Sequence, residues 1–335
     1  MVNSIVKGGF GISRRNFLRI GTALSGVMLF GYPNRVFGQT TKRISIATGG
    51  MGGVFYPIGG GIASIISKYI QGVEATAEVT AASVDNCKLV AAKNSDLALS
   101  SADTTYDAMM GSGKFKEKLP IVNLAVLYPG YMHIVSTTGK GINSAGDLKG
   151  KRISTGAPGS STEIIALRIL EAYDIKPDKD VLRDRLGASE SGNALKDGKI
   201  DAYFWGSGIP AANVLDLAAT PGTTVKLISH GDAITKMEAK YPKQYFKANI
   251  PKGIYPGVDS DVSSIAFGNL LIAHENMDAK MAYDIVKAVF EHLPELEAIH
   301  KEASNITLKG ATVGSPIPFH KGAAKFYQEK GLSIQ

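Results

Sequence analysis

Cysteine is almost absent from this sequence, since Cys87 is the only one among 335 residues. No disulfide can therefore form within the chain, and a hydrophobic core has to hold the fold together. With about 300 residues after the first 38, the chain exceeds the size at which one such core keeps growing. We therefore expect two domains, with Cys87 as a small core residue.

Two further absences concern catalysis. The six histidines show no metal-ligand spacing, and His274-Glu275 is not followed by a second histidine four residues after the first. The sequence has no Gly-x-Ser-x-Gly motif, which leaves a serine hydrolase without support. We therefore predict no metal, no cofactor and no catalytic residue.

Acidic residues are missing from the first 38 positions, which carry five basic ones: Lys7, Arg14, Arg15, Arg19 and Arg35. Residues 13–19, Ser-Arg-Arg-Asn-Phe-Leu-Arg, resemble a twin-arginine export signal with Arg in place of the final Lys. The apolar run over 20–31 is shorter than the roughly 20 residues that a membrane-spanning helix needs. We predict a twin-arginine-type signal peptide over 1–38, cleavage before Gln39 and a periplasmic location. A basic amphipathic arm is the alternative.

A basic excess is lacking once this leader is set aside. Subtracting its five basic residues from the 37 in the chain leaves 32 against 30 acidic residues. A protein that binds nucleic acid needs a Lys/Arg excess to release counterions from phosphates, and none remains here. We therefore predict no nucleic-acid partner.

From residue 43 onward, short β-rich runs alternate with segments of helical periodicity. The predicted strands are 44–48, 96–100, 121–128, 152–155 and 200–205, and the clearest later helices are 161–173 and 277–292. This alternation is typical of an α/β protein with largely parallel sheets.

The order of these segments suggests how two lobes are shared along the chain. The β-branched segment 133–137 is followed by a polar stretch, where we place a first crossing between lobes, and the apolar run 264–273 provides a return. We predict that residues 39–134 and 265–335 form lobe one and that 135–264 form lobe two.

Two glycine-rich turns, one in each predicted lobe, carry the strongest local signal. Residues 48–57 join a strand to a helix, and Gly52 there permits the close approach of a ligand to backbone. Residues 156–163 repeat this arrangement, with Ser160, Ser161 and Thr162 at the helix start. Helix N-termini bind anions, and open α/β sheets bind ligands in the crevice at strand ends. The alternatives are a connecting turn for the first segment and helix capping for the second.

Neither turn matches a nucleotide-binding motif. The first lacks the Gly-Lys-Ser/Thr that closes a mononucleotide P-loop and the glycine spacing of a dinucleotide fingerprint. Both turns lack Lys and Arg, so neutral donors and helix ends would hold a bound carboxylate.

Seven segments in order resemble the TAXI family of extracytoplasmic solute receptors of TRAP transporters. They read ATGGMGGVFYPIGGGIA, SVDNCKLVAAKNSDLALSSADTTYDA, LYPGYMHIV, DLKGKRISTGAPGSSTE, LKDGKIDAYFWGSGIP, IPKGIYPGVDSDV and PFHKGAAKFYQEKG. The resemblance implies a two-lobed periplasmic-binding-protein (Venus flytrap) fold, type II-like, with its ligand site in the inter-lobe cleft. It also implies a monomer without enzymatic activity that passes a small organic anion to a TRAP membrane permease.

The resemblance also implies which residues bind the ligand. Those of lobe one are Gly52, Tyr56, Asn86, Ser101 and Asp103, and those of lobe two are Ser160, Ser161, Thr162, Trp205 and Gly206. Ser161 stands where the family usually has Gly, and Trp205 stands where Phe or Tyr is common, so the ligand's identity cannot be carried over.

Asp103 would suit an ammonium or hydroxyl group, which favours an amino acid or a dicarboxylate such as glutamate or 2-oxoglutarate. One alternative is an exported enzyme that acts on a small carboxylate with Asp103 as base. Another keeps the fold but couples it to an ABC permease or a signalling protein.

Overall fold

The structure is a computed structural model that describes residues 41–334. The predicted signal peptide over residues 1–38 lies outside the described residues. We use the predicted lobe boundaries below as names for two parts of the chain.

Within residues 41–334, ten strands are formed: β1 Lys42–Ala47, β2 Val73–Glu78, β3 Leu97–Ser101, β4 Ile121–Thr137, β5 Arg152–Ser154, β6 Leu182–Asp184, β7 Ala202–Ser207, β8 Val225–Leu227, β9 Phe246–Ile250 and β10 Val262–His274. The five predicted strands overlap β1, β3, β4, β5 and β7, whereas the shorter or more exposed β2, β6, β8 and β9 were not predicted.

Ten α-helices accompany them: α1 Phe55–Tyr69, α2 Ser83–Ala91, α3 Ala102–Met110, α4 Ser161–Ala172, α5 Ala188–Lys196, α6 Ala212–Ala218, α7 Ile234–Lys240, α8 Ala279–Glu291, α9 Leu293–Ile299 and α10 Lys321–Glu329. Four 3₁₀ helices cover Ala145–Leu148, Gly231–Ala233, Lys301–Asn305 and Gly310–Thr312. Within residues 41–334, no helix combines the length and hydrophobicity that crossing a membrane requires.

The helices form where apolar residues recur every three or four positions. In α1, Ile58, Ile62 and Ile65 lie on one face and are buried. Asp278 is the N-cap of α8. Its carboxylate accepts a hydrogen bond from the Met281 N–H at 2.9 Å and so gives a partner to one of the free N–H groups at the start of the helix.

All ten strands join one mixed sheet. Its order is β2-β1-β3-β10-β4-β7-β5-β6, with β8 beside β4 and β9 beside β10. Strands β1, β2 and β3 are parallel, as are β5, β6 and β7, but the central β4 and β10 are antiparallel to their neighbours. The predicted parallel pairing therefore holds for the two outer groups and is wrong at the centre of the sheet.

The two central strands are unusually long. β4 has 17 residues and β10 has 13, against a common strand length of about five or six. One end of β10 pairs with β3, and the other end pairs with β9. β4 and β10 therefore belong to both outer groups and connect them.

β4 continues through Pro129 and Gly130, where the sequence pattern indicated an end. The register between β4 and β10 shifts beside Gly268, so the ladder is already irregular at this point. A Cβ atom on Gly130 would lie 2.4 Å from the ring of Phe267. Glycine at this position thus lets the two long strands approach each other.

Four buried clusters form the core. Two are built mainly from lobe-one residues and two mainly from lobe-two residues, with exchange near the long strands. Ile164 of α4, for instance, packs among lobe-one side chains such as Cys87, Ala102 and Phe115. Cys87 is fully buried, as the sequence predicts for a core residue.

Candidate ligand site

A cavity of about 400 Å³ lies where strand ends of the two lobes meet. Its walls come from five segments: 49–55, 79–82, Ala157 with 160–162, 187–190 and 205–207. Four of these segments link a parallel strand to the next helix, from β1 to α1, β2 to α2, β5 to α4 and β6 to α5. This is the position at which α/β folds bind ligands.

The first wall is the glycine-rich turn before α1. The Thr48 hydroxyl donates to the Glu78 carbonyl at 2.6 Å, and the Gly53 N–H donates to the Gly50 carbonyl at 3.1 Å. The N–H groups of Phe55 and Tyr56 follow, and the first turn of a helix offers such groups no partner within the helix. They are available to an anion at the end of the turn.

Glycine in this turn allows the lobes to touch. A Cβ atom on Gly52 would lie 2.9 Å from that of Ala188, and a Cβ on Gly53 would lie 2.9 Å from Cζ2 of Trp205. Real Cβ atoms do not approach other atoms so closely, so these glycines are required by contact between lobes.

The second glycine-rich turn begins α4 and divides its hydroxyl groups between two roles. The Ser160 hydroxyl caps the helix, because it accepts from the Glu163 N–H at 3.2 Å and donates to the Ala157 carbonyl at 2.7 Å. Thr162 Oγ1 accepts from the Gly206 N–H at 3.1 Å. Ser161 lines the cavity at 5% exposure, and no hydrogen bond within residues 41–334 engages its hydroxyl.

Two more helices begin at this cavity. α2 is preceded by Ala82, whose φ of 78° is unusual for a residue with a Cβ, and α5 is preceded by Gly187. Together with α1 and α4, four helices of 9 to 15 residues direct their N-termini to one space. Each end carries a partial positive charge of about half a unit, although the Val84 N–H of α2 already donates to the Gly159 carbonyl and the Glu163 N–H of α4 to the Ser160 hydroxyl.

The side chains around this space add no positive charge. Glu190 is the only ionisable residue in the lining, which contains no Lys, Arg or His within the described chain. Trp205 at the end of β7 supplies an indole whose buried Nε1 has no partner within residues 41–334. Neutral donors and apolar surface therefore define the chemistry of the cavity.

A buried histidine holds the backbone of Trp205. His133 lies opposite Trp205 in the β4–β7 ladder, and its Nδ1 donates to the Trp205 carbonyl at 3.0 Å. Its Nε2 accepts from the Tyr255 hydroxyl at 2.9 Å, and that hydroxyl accepts from the Ala211 N–H at 2.9 Å. Burial lowers the pKa of His133 to about 4, so the ring is neutral and this tautomer is fixed at neutral pH.

Direct hydrogen bonds close the cleft around the cavity. The Val54 N–H donates to the Ser207 hydroxyl at 3.3 Å, the Asn213 N–H donates to the Gly52 carbonyl at 3.3 Å, and the Val84 N–H donates to the Gly159 carbonyl at 3.0 Å. Farther along the cleft, the buried Glu302 accepts from the Ile209 N–H at 2.7 Å. The two lobes are therefore in contact on several sides of the cavity.

The structure brings Gly52, Ser160, Ser161, Thr162, Trp205 and Gly206 together in the lining. Four other predicted residues lie outside it. Tyr56 is half-buried beyond the end of the turn, so the helix start contributes the side chain of Phe55 instead.

Asn86 and Ser101 have structural roles. The Asn86 amide donates to the carbonyls of Thr48 and Leu99, both at 2.7 Å, and its oxygen accepts from Thr80. Ser101 is fully buried and donates to Thr104 Oγ1 at 3.0 Å. Both residues are fully buried outside the cavity lining, where they hold neighbouring groups of lobe one in place.

Asp103 belongs to an ionic cluster between α3 and α4. Its carboxylate accepts from the Tyr245 hydroxyl at 2.7 Å and lies 3.6 Å from Arg168, which also pairs with Asp107 at 2.6 Å. The prediction that Asp103 meets an ammonium group of the ligand fails in this structure, because α4 of lobe two covers the start of α3.

A larger hollow of about 660 Å³ lies along α3 and α4 and is lined in part by Tyr106, Lys114 and Tyr241. The Arg168 guanidinium at its wall is already paired with Asp107 and stacks on Tyr241 at 4.0 Å. No helix of eight or more residues begins at this hollow, so we place the ligand site in the 400 Å³ cavity.

The sequence analysis did not predict that the segment 187–190, Phe55 and Ser207 line the cavity. β6, which precedes this segment, has only three residues and is partly exposed, so it leaves no hydrophobic run to detect. Ser207 follows Trp205 at the end of β7, and only the pairing of the lobes shows that its hydroxyl meets Val54.

Comparison with solved structures supports the fold. The chain resembles the binding protein component of an ABC phosphonate transporter from Pseudomonas aeruginosa, with 11% identity, 80% of each chain covered and a TM-score of 0.51. A protein from Bordetella bronchiseptica RB50 has 16% identity over 87% of this chain and 83% of its own, with a TM-score of 0.49. The periplasmic aliphatic sulphonate binding protein SsuA from Escherichia coli has 12% identity over 79% of each chain, with a TM-score of 0.45.

The fold is thus the two-lobed α/β fold of periplasmic binding proteins, as predicted. At these identities the likeness concerns the fold alone. In a comparison with family models, residues 46–331 match the model of the NMT1-like family.

Proposed function

The chain belongs to the NMT1-like family, and on that premise we propose that it is a periplasmic solute receptor that delivers a small organic anion to a membrane transporter. One observation carries the proposal: four helix N-termini from two lobes converge on one cavity. Such a site attracts negative charge and needs no catalytic group.

Closure of the lobes explains how such a receptor would select its ligand. An anion that contacts α1 of lobe one and α4 of lobe two binds the closed arrangement better than the open one, and so shifts the population toward closure. The cavity volume of about 400 Å³ suits a molecule of the size of an amino acid or a small dicarboxylate. Glutamate and 2-oxoglutarate are the examples that the sequence favours.

We further propose that the receptor is a monomer of the TAXI type and serves a TRAP permease. The seven family segments support this choice, and the fold is equally compatible with an ABC permease. The genes beside this one distinguish the two. Large multi-helix membrane subunits of the TRAP kind support the proposal, whereas an ATPase and an ABC permease contradict it.

The alternative of an enzyme with Asp103 as base receives no support from the geometry. Asp103 pairs with Arg168 and Tyr245 outside the cavity, where it cannot reach a molecule bound at the helix ends. A general base has to lie within hydrogen-bond distance of the proton that it removes.

The proposal is tested by titrating the exported, purified protein with acids and amino acids of four to six carbons. We expect heat of binding and an increase in Tm for at least one of them, with the ligand recovered unchanged. Neither heat nor a Tm shift for any member of the panel, or chemical conversion of a bound member, would contradict it.

A further inference from the structure

We propose that the ligand of this cavity carries one negative charge and an apolar body, and is therefore a monocarboxylate and not a dicarboxylate. This inference rests on the proposed function as a receptor for a small organic anion, and it excludes the dicarboxylates glutamate and 2-oxoglutarate that the sequence favours. It follows from the charges around the four helix ends and from the surface between them.

Three of the four helix ends already have a carboxylate in their first turn. These are Asp85 in α2, Glu163 in α4 and Glu190 in α5, whereas α1 has none. An acid at this position offsets the partial positive charge of its own helix end. Less positive potential is then left for the ligand than four helix ends alone would supply.

Two of these carboxylates lie close to the cavity. Glu190 lines the cavity, and an oxygen of Asp85 lies 2.9 Å from the place of a Cβ on Gly159, in the turn before α4. A ligand with a second carboxylate would therefore meet two like charges near the cavity. No basic side chain in the lining offsets them.

Three cations near the start of α4 are engaged by Glu163. Glu163 is 1% exposed and pairs with Lys114 at 3.5 Å and with Arg183 and Arg185. None of these three cations belongs to the cavity lining. They neutralise Glu163, so Asp85 and Glu190 are the carboxylates that offset helix ends at the cavity, and the N-terminus of α4 stays available to one anionic group of the ligand.

A single anionic group has a set of unused donors. Ser161 is 95% buried and lines the cavity, and its hydroxyl takes part in no hydrogen bond within residues 41–334. Together with the first N–H groups of α1 and α4, this hydroxyl is sufficient for one carboxylate.

Besides the hydroxyl groups of Thr80, Ser189 and Ser207, the lining has an apolar part that suits a hydrocarbon body. It includes Val54, Phe55, Val79, Ala157, Ala188 and Trp205. A charged tail lying against these side chains would lose its hydration without gaining hydrogen bonds, and such burial is strongly unfavourable. An aliphatic or aromatic tail gains free energy on the same surface.

Two matched pairs of acids test the inference. 4-Methyl-2-oxopentanoate and 2-oxoglutarate share a 2-oxo acid group, and leucine and glutamate share an amino acid group, but in each pair only the second has a carboxylate tail. Calorimetric titration of the exported full protein with all four gives the Kd values. We expect the apolar-tailed member of at least one pair to bind about tenfold or more tightly than its dicarboxylate counterpart.

The outcomes separate this inference from the proposed function. If neither apolar-tailed acid binds more tightly than its dicarboxylate counterpart, the inference is overturned and the receptor function stands. If none of the four binds, the inference is overturned, and the receptor function is overturned only if the wider panel of acids and amino acids of four to six carbons also fails to bind.

Glu190→Gln provides a second test that does not depend on absolute affinity. Removing this charge should lower the ratio of the Kd of 2-oxoglutarate to the Kd of 4-methyl-2-oxopentanoate by about threefold. The reason is that the dianion loses more repulsion than the monoanion. Glu297→Gln, an exposed position on α9 far from the lining, is the control and should leave the ratio unchanged. An unchanged ratio in Glu190→Gln would overturn the electrostatic basis of the inference.

Discussion

Gly53 and Trp205 face each other across the cleft, and the absence of one methyl group allows their contact. Cζ2 of the indole lies 2.9 Å from where a Cβ on Gly53 would be. The ring therefore lies against the lobe-one turn and forms part of the cavity wall. Ligand affinity and lobe closure are coupled at this residue pair.

We expect Gly53→Ala to weaken ligand binding about tenfold, because the new methyl group clashes with Trp205 only when the lobes are closed. The free energy of unfolding should change little. Calorimetric titration and thermal melting measure the two quantities. Gly60→Ala, where a Cβ would meet nothing within 4 Å, is the control and should bind normally. Normal affinity in Gly53→Ala would show that this contact is not needed for closure.

Glu302 gives the protein a specific pH dependence. Burial raises its pKa to about 7, so the folded protein holds this proton more tightly than the unfolded chain does. A raised folded-state pKa contributes stability at low pH that is lost as the pH rises between the unfolded value, about 4.5, and 7.

Glu302→Gln should therefore increase the free energy of unfolding relative to wild type at pH 8, with a smaller gain at pH 5. Chemical denaturation at both pH values measures the difference in the free energy of unfolding. Comparing the two proteins cancels the contributions of the other titrating groups. A gain of equal size at both pH values would show that Glu302 does not titrate in this range.

At the scale of elements, α3 and α4 are joined by a buried ionic cluster. Arg168 of α4 pairs with Asp107 of α3 at 2.6 Å, donates to Tyr245 at 2.6 Å and stacks on Tyr241. Burial raises the pKa of Asp107, and the positive charge of Arg168 partly opposes this rise. The cluster fixes α4, whose first turn carries Ser161, against lobe one.

We predict that Asp107→Asn lowers the free energy of unfolding by about 2–4 kcal/mol, because it leaves Arg168 buried with one fewer counter-charge. Ligand affinity should fall as α4 becomes less well fixed. Asp216→Asn removes an exposed partner of Lys196 and should change stability by less than about 1 kcal/mol. Equal, small effects in both variants would show that the cluster does not stabilise the contact between lobes.

The elements differ in how well their sequences predicted them. Helix α4 was predicted because Ser160 caps it and its apolar residues follow at helical spacing. β4 was predicted only to Tyr128, because Pro129 and Gly130 usually end a strand and only the irregular pairing with β10 accommodates them.

The site residues differ in the same way: local signals predicted some of them, and contacts between distant elements decided the others. Ser160, Ser161 and Thr162 were predicted from local signals at a helix start, and the structure places them in the lining. Ser101 and Asp103 follow a strand in the same way, but both are fully buried outside the cavity lining, and Asp103 pairs with Arg168 of α4. Such exclusion depends on a contact between lobes, which no local pattern contains.

At the scale of the whole molecule, export remains a prediction because residues 1–38 lie outside the described chain. We expect Arg14→Lys with Arg15→Lys to prevent export, since the paired arginines are the recognition element of the twin-arginine route. Immunoblots of periplasmic and cytoplasmic fractions measure this, with Lys7→Arg as the control. Undiminished periplasmic protein in the double variant would indicate another export route.

The two lobes share the long strands β4 and β10 and meet around a cavity whose donors are backbone N–H groups and side-chain hydroxyls. The molecule thus places a site that attracts one negative charge at the contact between its lobes. The affinity and selectivity of the receptor both depend on whether the helix ends of the two lobes hold the same anion.

A crystal structure of the protein with the small molecule that copurifies with it tests this most directly. The account predicts an anionic group within hydrogen-bond distance of the first N–H groups of α1 and α4 and the Ser161 hydroxyl, with no Lys or Arg side chain in contact. A ligand bound outside this cavity, or one whose anionic group is held by a basic side chain, would contradict it.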